Sequence, residues 1–307
     1  MKPLVSLIMP VWRPRPDWLR EAVASALDDE TSLELLVVDD GCEEPVEGLL
    51  RGIEDERLNV LRVGHGGPYA ARNAGLRAAV GSHVRFVDSD DVIETGSTSR
   101  LLELAEGRDD VVAYGATMMC DEALEPLRVV TSTLEGDVAR ACLLGVFHVY
   151  VVSMLFPSAV LARAGGWEEE GFRVSGDWDY VLRAVEHASV RRLDAVVTRY
   201  RRHGDSISRS ADVAVGAEAG RLVLERYFER HPEQRDTELA RRAFARLHLE
   251  RARAHAWRGD YRSAGREFAS GARQAPRAAA AALAGWLRDS AVSLVAPAAR
   301  RVLRGRR

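Results

Sequence analysis

Short apolar runs alternate with stretches of helical periodicity through the first two-thirds of the chain. Leu4-Val-Ser-Leu-Ile-Met9 is one such run, and after a Pro/Arg turn Leu19, Val23, Ala26 and Leu27 fall at helical spacing within Trp18 to Leu27. Leu33 to Val38 is a second buried strand and stops at Asp39-Asp40-Gly41, so two carboxylates stand at its carboxyl end. The unit reads as βαβ, a crossover that implies parallel strands. A helix near Val46 to Ile53, a strand at Asn59 to Val63, a glycine-rich turn at Gly64 to Gly67 and a helix from about Tyr69 to Val80 follow. His83 to Val87 then forms a strand ending in Asp88-Ser-Asp-Asp91. The pattern next predicts a helix at Ser97 to Glu106, a strand at Val111 to Met118, a polar stretch and a helix around Val138 to Leu144. It closes with a strand near Val151 to Phe156, a helix at about Trp178 to Glu186 and a strand at Ala195 to Tyr200. Residues 1–210 therefore read as one α/β domain, a mostly parallel sheet flanked by helices, and from about Ala211 the pattern becomes nearly all helical.

Composition narrows the class. With 47% hydrophobic and 29% charged residues and no run of roughly 20 uncharged apolar positions, the chain is expected to be a soluble globular protein. Cys42, Cys120 and Cys142 have neither zinc-site spacing nor the density of a disulfide scaffold, and the first strand begins without a signal-peptide pattern. A cytoplasmic protein with reduced thiols is expected. Net charge divides: residues 1–210 carry 23 basic and 35 acidic side chains, residues 211–307 carry 20 and 11. The arginine-rich helical region, 211–307, includes Trp257-Arg-Gly-Asp-Tyr261 with Ala264, Phe268 and Pro276, which resembles the end of one tetratricopeptide unit; an ordinary helix pair packing on the first domain is the alternative. Ala278 to Leu287 and Val292 to Ala299 are apolar, and five arginines from Arg300 to Arg307 finish the chain. Such an end either lies on an anionic membrane surface, at the inner face of the membrane, or is a solvated tail. No aromatic platform interleaves the arginines, which argues against nucleic acid as partner.

The acidic clusters stand where ligands bind in open α/β sheets, beyond the carboxyl ends of the strands. Five segments in order carry a resemblance: Val5-Ser-Leu-Ile-Met-Pro-Val11, Leu36-Val-Val-Asp-Asp-Gly41, Gly67-Pro-Tyr-Ala-Ala-Arg-Asn-Ala-Gly75, Phe86-Val-Asp-Ser-Asp-Asp91 and Gly176-Asp-Trp-Asp179. Over about residues 3–208 the chain resembles family 2 of the inverting glycosyltransferases, whose fold is a nucleotide-binding, Rossmann-like sheet of the GT-A type. The resemblance implies transfer of one sugar from a nucleotide-sugar, a UDP-sugar foremost, to a hydroxyl of a glycan, a lipid-linked sugar or a small molecule. The Gln-x-x-Arg-Trp motif and membrane helices of processive members are missing, so a long polymer is not expected as product.

Sugar transfer from a nucleoside diphosphate must neutralise charge on the leaving group and remove a proton from the attacking hydroxyl. Asp88 and Asp90 are two carboxylates at a strand end, directed to one side by alternation. They suit a hard Mg²⁺ or Mn²⁺. The resemblance makes Asp90 the direct metal ligand and Asp88 a contact to ribose or metal-bound water, with Asp91 able to replace either. It points to Asp40 as acceptor for the imide N–H of uracil, to Pro10 and Val11 as lining of the base pocket, and to Arg72 near the nucleotide, with a structural ion pair to Asp39 or Asp88 as the alternative for Arg72. Trp12 either stacks on the base or packs; the alternative for Asp39 and Asp40 is that they begin an Asx turn before Gly41; His65, in the glycine turn, has no assigned partner. Asp177 is the expected general base, with N-capping as its structural alternative and Asp179 as its stand-in. Tyr200-Arg-Arg-His-Gly-Asp-Ser206 resembles a segment that follows the base in many members, and makes His203 a candidate for metal or diphosphate. A degenerate domain serving as a scaffold and, further off, a sugar nucleotidyltransferase are the competing readings; Pro10 to Asp17 lacks the glycine-rich loop of the latter.

Overall fold

The computed structural model describes residues 3–172, 174–204, 213–284 and 286. The chain divides into two units, Met1–Ala211 and Asp212–Arg307. The first is built on one mixed sheet. Strands β1 (Val5–Val11), β2 (Leu33–Asp40), β3 (Leu58–Val63) and β4 (His83–Phe86) run parallel in the order β3-β2-β1-β4. Beyond β4 the sheet continues with β8 (Met154–Pro157), β6 (Val111–Cys120), β9 (Ser189–Arg201) and β5 (Val92–Ile93), while β7 (Pro126–Val130) pairs with β6. Here β8 is antiparallel to both neighbours and β9 is parallel to β6.

The chain builds outward from β1 to β3 and then returns to place β4 on the other side of β1. That reversal leaves a crevice beyond the carboxyl ends of β1 and β4, the place where such sheets bind ligands. Register sets which residues meet there: Val11 pairs with Asp39, Asp40 with Val63, and Ile8 with Phe86. Because β1 and β2 are covered on both faces, their side chains are buried without alternation, which is why they appear in the sequence as continuous apolar runs.

Helices α1 (Pro16–Leu27), α2 (Val46–Leu49), α3 (Pro68–Ala78) and α4 (Ser97–Ala105) lie among these strands. Proline opens α1 and α3, where its missing N–H costs nothing. Leu19, Ala22, Val23 and Ala26 of α1 enter the same core as Val5, Leu7, Met9 and Val37, and burying each large apolar side chain contributes roughly 1.5–3 kcal/mol. Arg85, in β4, is fully buried and has no carboxylate partner among the described residues. Its guanidinium donates instead to the hydroxyls of Ser97, Thr98 and Thr198 and to the Val197 carbonyl, tying β4 to α4 and β9. Burial pushes its pKa down to about 10.

Several expectations shift. The helix expected at Val46 to Ile53 stops at Leu49, before the left-handed Gly52. Strand β7 and helix α6 (Ser158–Ala164) lie where no element was expected; β7 exposes Leu127 and Val129 and so carries no burial pattern. Helix α5 (Ala139–Leu143) is short, and Val151–Ser153 forms a 3₁₀ turn before β8 instead of its first residues. Helix α7 (Gly176–Val185) begins two residues earlier than its apolar spacing indicated.

In the second unit α8 (Val213–Arg230), α9 (Glu238–Trp257) and α10 (Tyr261–Gln274) are followed by further helical residues at 276–284. α9 and α10 pack at Gly271, against Ala245 and Leu249, and His248 Nδ1 meets Glu267 at 2.7 Å. Asp260 caps α10 by accepting from the Ser263 amide, and Trp257 and Tyr261 on either side of this turn are exposed. Val292 to Ala299 and the closing arginines lie outside the described residues, as do Asp205 and Ser206. Among the described residues no helix is long and apolar enough to cross a membrane.

Gly75 sets how closely α3 approaches β1. A Cβ there would lie 2.4 Å from Ile8 Cγ2 and 3.3 Å from Val38 Cγ2. Gly75→Ala is therefore expected to lower stability by about 1–3 kcal/mol through overpacking, against the gain of about 1 kcal/mol that alanine brings to an unobstructed helix. Urea denaturation measures the sign: a stabilised variant would mean that β1 and α3 separate without cost.

Candidate active site

Four chain segments meet at the carboxyl edge of β1, β2, β3 and β4. At the end of β2 the two aspartates divide their work. Asp39 is fully buried and accepts from the Cys42 amide at 2.8 Å, the Val46 amide at 3.2 Å and Arg62 Nη1 at 2.9 Å. Burial alone would raise its carboxyl, but those amides and the guanidinium outweigh it and hold the pKa below the usual carboxylate range. It shapes the turn after β2. Asp40 is 1% exposed and accepts from the Gly66 amide at 2.7 Å, the Gly67 amide at 2.9 Å and His65 Nδ1 at 2.9 Å. The role expected of Asp40, direct acceptance of a base N–H, needs an accessible oxygen. In this arrangement both oxygens hold the glycine turn, Oδ1 through one bond and Oδ2 through two.

That turn is possible because of backbone freedom at two points. Gly41 has φ +71°, and a Cβ on it would lie 2.9 Å from the His65 nitrogen; Gly67 has φ +87° and leads into Pro68 at the start of α3. Above the turn, Trp12 and His65 stack with ring centroids 4.8 Å apart and planes 17° apart, and the Arg13 guanidinium lies 4.6 Å from the Trp12 centroid. Val11 is buried in the core and offers its carbonyl, which accepts weakly from the Cys42 thiol, while Pro10 is partly exposed.

Helix α3 carries Arg72 to the next cluster. Arg72 Nη2 pairs with Asp88 Oδ1 at 2.5 Å and its guanidinium lies 4.8 Å from the Trp167 centroid. Asp88 and Asp90 lie past the last residue of β4, in a turn closed by the Asp91 amide on the Asp88 carbonyl. Strand alternation therefore does not orient them, contrary to the expectation from spacing; the turn does. Asp90 Oδ2 lies 2.7 Å from His203 Nε2, and the His203 ring meets Trp18 edge-on. Burial, reinforced by the charge of Asp88, holds the Asp90 carboxyl above the usual carboxylate range in spite of His203. Asp91 is fully buried and accepts from the Arg201 amide, so it does not stand in for its neighbours. Burial, with the charges of Asp90 and Asp88, pushes its carboxyl well up.

Arg201 fastens this acidic turn to three other segments. It is 3% exposed and donates to the Asp90 carbonyl at 2.9 Å, the Glu122 carbonyl at 2.5 Å and Glu21 Oε2 at 2.5 Å. It lies within the segment quoted around His203, yet a run of two arginines gives no sign of which one turns inward.

Asp177 occupies the first turn of α7. Ser175, with φ 65°, is the N-cap and makes no side-chain cap, so Asp177 is not capping the helix; its Oδ1 accepts from the neighbouring Trp178 amide at 2.9 Å. Oδ2 has no hydrogen-bond partner among the described residues. Asp179 is fully buried against Arg183, whose Nη1 also reaches the carbonyls of Ala164 and Gly166. That ion pair makes Asp179 a brace for α6 and α7 and removes it as a stand-in for Asp177. The first turns of α3 and α7 touch directly: the Tyr69 hydroxyl accepts from the Gly176 amide at 3.2 Å. Burial first, then the charge of Asp177, pushes the Tyr69 phenol up.

The loop between α6 and α7 was missed from sequence. Asn73 Oδ1 accepts from the Trp167 amide at 2.7 Å, and Asn73 Nδ2 donates to the Trp167 carbonyl and to Glu169 Oε1. Trp167 stacks between Tyr69 and Tyr180, with centroids 5.6 and 4.0 Å away. An aromatic residue directly after Gly165-Gly166 was the available signal, but pairing with α3 is a contact across 94 positions.

For a cation the donor chemistry fits: Asp90 and His203 bring a hard oxygen and an imidazole nitrogen together, amid carboxylates that raise one another's pKa. Among the described residues no group of three or more His, Cys, Asp or Glu side chains is arranged to hold an ion.

Residues 6–145 match the family model described as glycosyl transferase family 2. The uncharacterised glycosyltransferase EpsJ of Bacillus subtilis (strain 168) is 29% identical over 220 residues, 68% of this chain and 64% of that protein. An uncharacterised glycosyltransferase of Haemophilus influenzae is 30% identical over 139 residues, 44% of this chain and 55% of that protein. The chain thus spans less than two-thirds of the length of these relatives. Among solved structures, S. aureus TarS residues 1–349, in complex with UDP-GlcNAc, matches with a TM-score of 0.62 over 89% of this chain and 92% of that one at 16% identity, a likeness of fold. In its motifs, and over residues 6–145, the larger unit of this chain is similar to glycosyl transferase family 2.

Proposed function

We propose that the larger unit moves one sugar from a nucleotide-sugar, a UDP-sugar, to a hydroxyl of a glycan, a lipid-linked sugar or a small molecule, with inversion at the anomeric carbon. The observation that carries this reading is the pairing of Arg72 with Asp88 and of His203 with Asp90 at the crevice between β1 and β4, an alternation of acid and base suited to a diphosphate and its counter-ion. The match of residues 6–145 to the glycosyl transferase family 2 model supports the reaction class, and the solved complex of TarS with UDP-GlcNAc supports the uridine donor.

In this reading Pro10 and Val11 line the base pocket, Asp40 maintains it through the glycine turn, and Arg72 and Asp88 position the nucleotide. Asp90 and His203 would hold Mg²⁺ or Mn²⁺. Bound there, the ion supplies Lewis-acid neutralisation of the leaving diphosphate. Asp177 takes the acceptor proton on Oδ2 as the acceptor oxygen bonds to the anomeric carbon and the bond to the diphosphate breaks. A single displacement with one base inverts the centre. The Tyr69–Gly176 contact keeps this base in register with the α3 side of the site.

Calorimetry of UDP with and without Mn²⁺ tests the donor half. The wild type is expected to bind UDP more tightly with Mn²⁺, and Asp90→Ala to lose that increment; failure to bind any nucleoside diphosphate would sink the enzymatic reading in favour of a scaffold. Asp177→Asn tests the acceptor half. UDP affinity should stay within about twofold while kcat falls by about 10²–10⁴, the contribution of general-base catalysis; a variant of near-normal kcat would remove Asp177 from the chemistry.

A further inference from the structure

At the end of β9 side chains leave the strand on two sides. Arg201 and His203 turn toward Asp90, while Tyr200 and Arg202 hold the alternate positions. Register sets what Tyr200 meets. Met119 of β6 pairs with Tyr200 on one side and with Arg128 of β7 on the other, and residues paired in this way project to the same face. The neighbouring row, Val130, Thr117 and Thr198, identifies what covers that face: Thr117 Oγ1 lies 2.6 Å from Ser153 Oγ, and Thr198 Oγ1 donates to the Val152 carbonyl at 2.9 Å. Tyr150 stands at the head of this covering turn. Its ring meets Tyr200 with centroids 5.2 Å and planes 33° apart, and meets His148 edge-on at 5.6 Å.

Asp177 belongs to the same neighbourhood. Burial pushes the Tyr150 phenol up; Arg128 and Arg202 oppose that shift, and Asp177 and Asp91 reinforce it, so one ring senses the proposed base and both guanidiniums. The first turn of α7 is joined to this side, with Trp178 Nε1 donating to the Cys142 carbonyl at 3.0 Å. Arg128 and Arg202 are exposed, and among the described residues neither side chain has a hydrogen bond or an ion pair. Their neighbours along β9 differ: Arg199 is tied to Glu94 and Arg201 to Glu21. Two uncompensated cations therefore flank a tyrosine pair, within residues 1–210 that carry 23 basic and 35 acidic side chains.

We propose that the acceptor is a sugar or polyol bearing an oxyanion, a phosphate ester or a carboxylate, which Arg128 and Arg202 hold while its ring or chain lies along Tyr150 and Tyr200 and its hydroxyl faces Asp177. The proposal rests on the acceptor half of the reaction above and narrows it to a substrate class. A guanidinium offers paired N–H donors to phosphate and carboxylate alike. An anionic acceptor entering beside Asp177, Asp91 and a donor diphosphate meets like charge, and two cations on its own side of the base offset that repulsion; a neutral acceptor needs neither.

The test is titration of glucose, glucose 6-phosphate and glucuronate into the full chain saturated with UDP and Mn²⁺, for the wild type and for the double variant Arg128→Gln, Arg202→Gln. Both anions, or one of them, are expected to bind at least about tenfold more tightly than glucose, and the double variant to lose that preference while its UDP affinity stays level. Preference for glucose 6-phosphate alone identifies a phosphate ester, and preference for glucuronate alone a carboxylate. Equal binding of all three sugars, failure of both anions to bind, an unchanged preference in the double variant, or displacement of UDP by the anions would overturn the proposal and leave the donor reading intact. Failure of UDP itself to bind the wild type would remove the reading on which the proposal rests. Should the double variant lose thermal stability, the wild type decides: the side-chain NMR resonances of Arg128 and Arg202 are expected to shift with an anion and not with glucose, and unmoved resonances reject the proposal.

Discussion

The candidate site depends on the close approach of α3 to the parallel half of the sheet. Gly75 lets the helix settle onto Ile8 and Val38, and everything chemical is then hung from its first two turns. Tyr69 reaches the start of α7, Arg72 reaches Asp88, and Asn73 grips the backbone of Trp167. A helix standing one methyl further out would break these contacts together, because their distances are those of direct hydrogen bonds and tolerate little change.

Charge is handled differently on the two sides of the crevice. Under the proposed base pocket, Asp39 and Asp40 are buried but saturated, by main-chain amides in both cases, together with Arg62 for Asp39 and His65 for Asp40. Satisfied in that way a buried carboxylate is a fastening. At the acidic turn after β4 the compensation is incomplete: Asp88 has Arg72 and Asp90 has His203, while burial and mutual repulsion keep Asp90 and Asp91 above their ordinary range. Residual negative charge next to histidine and arginine suits a transient cationic and anionic cargo better than it suits stability. Perturbed groups of this kind gather at functional sites because function, and not folding, maintains them.

The second unit is helical. Its helices hold together through small residues, Gly271 against Ala245 and Leu249, and through His248 and Glu267. The helix pair joined by Trp257 to Tyr261 is what either reading of that segment required, so the pair alone does not separate a repeat fragment from an ordinary hairpin.

Local pattern determined a good deal of this protein. The strand–helix alternation through β4, the helical character after residue 211 and the acidic residues at strand ends all follow from short-range periodicity and from where apolar runs stop. The family motifs likewise identified Arg72, Asp88, Asp90, Asp177 and His203 as candidates, because a motif is itself a local record. Only tertiary structure decided how those residues are employed. Asp40 and Asp177 are both aspartates in acidic dipeptide-like motifs, yet one is sealed beneath a turn and the other keeps a free oxygen. Asp179 and Asp91 looked interchangeable with their neighbours until burial against Arg183 and Arg201 separated them. His65, Asn73, Trp167 and Arg201 acquire meaning from partners far along the chain, Asn73 and Trp167 from each other across 94 positions. Sequence spacing specifies which face of an element a side chain occupies, whereas long-range packing specifies what that face meets, and it is the meeting that sets burial, hydrogen bonding and charge.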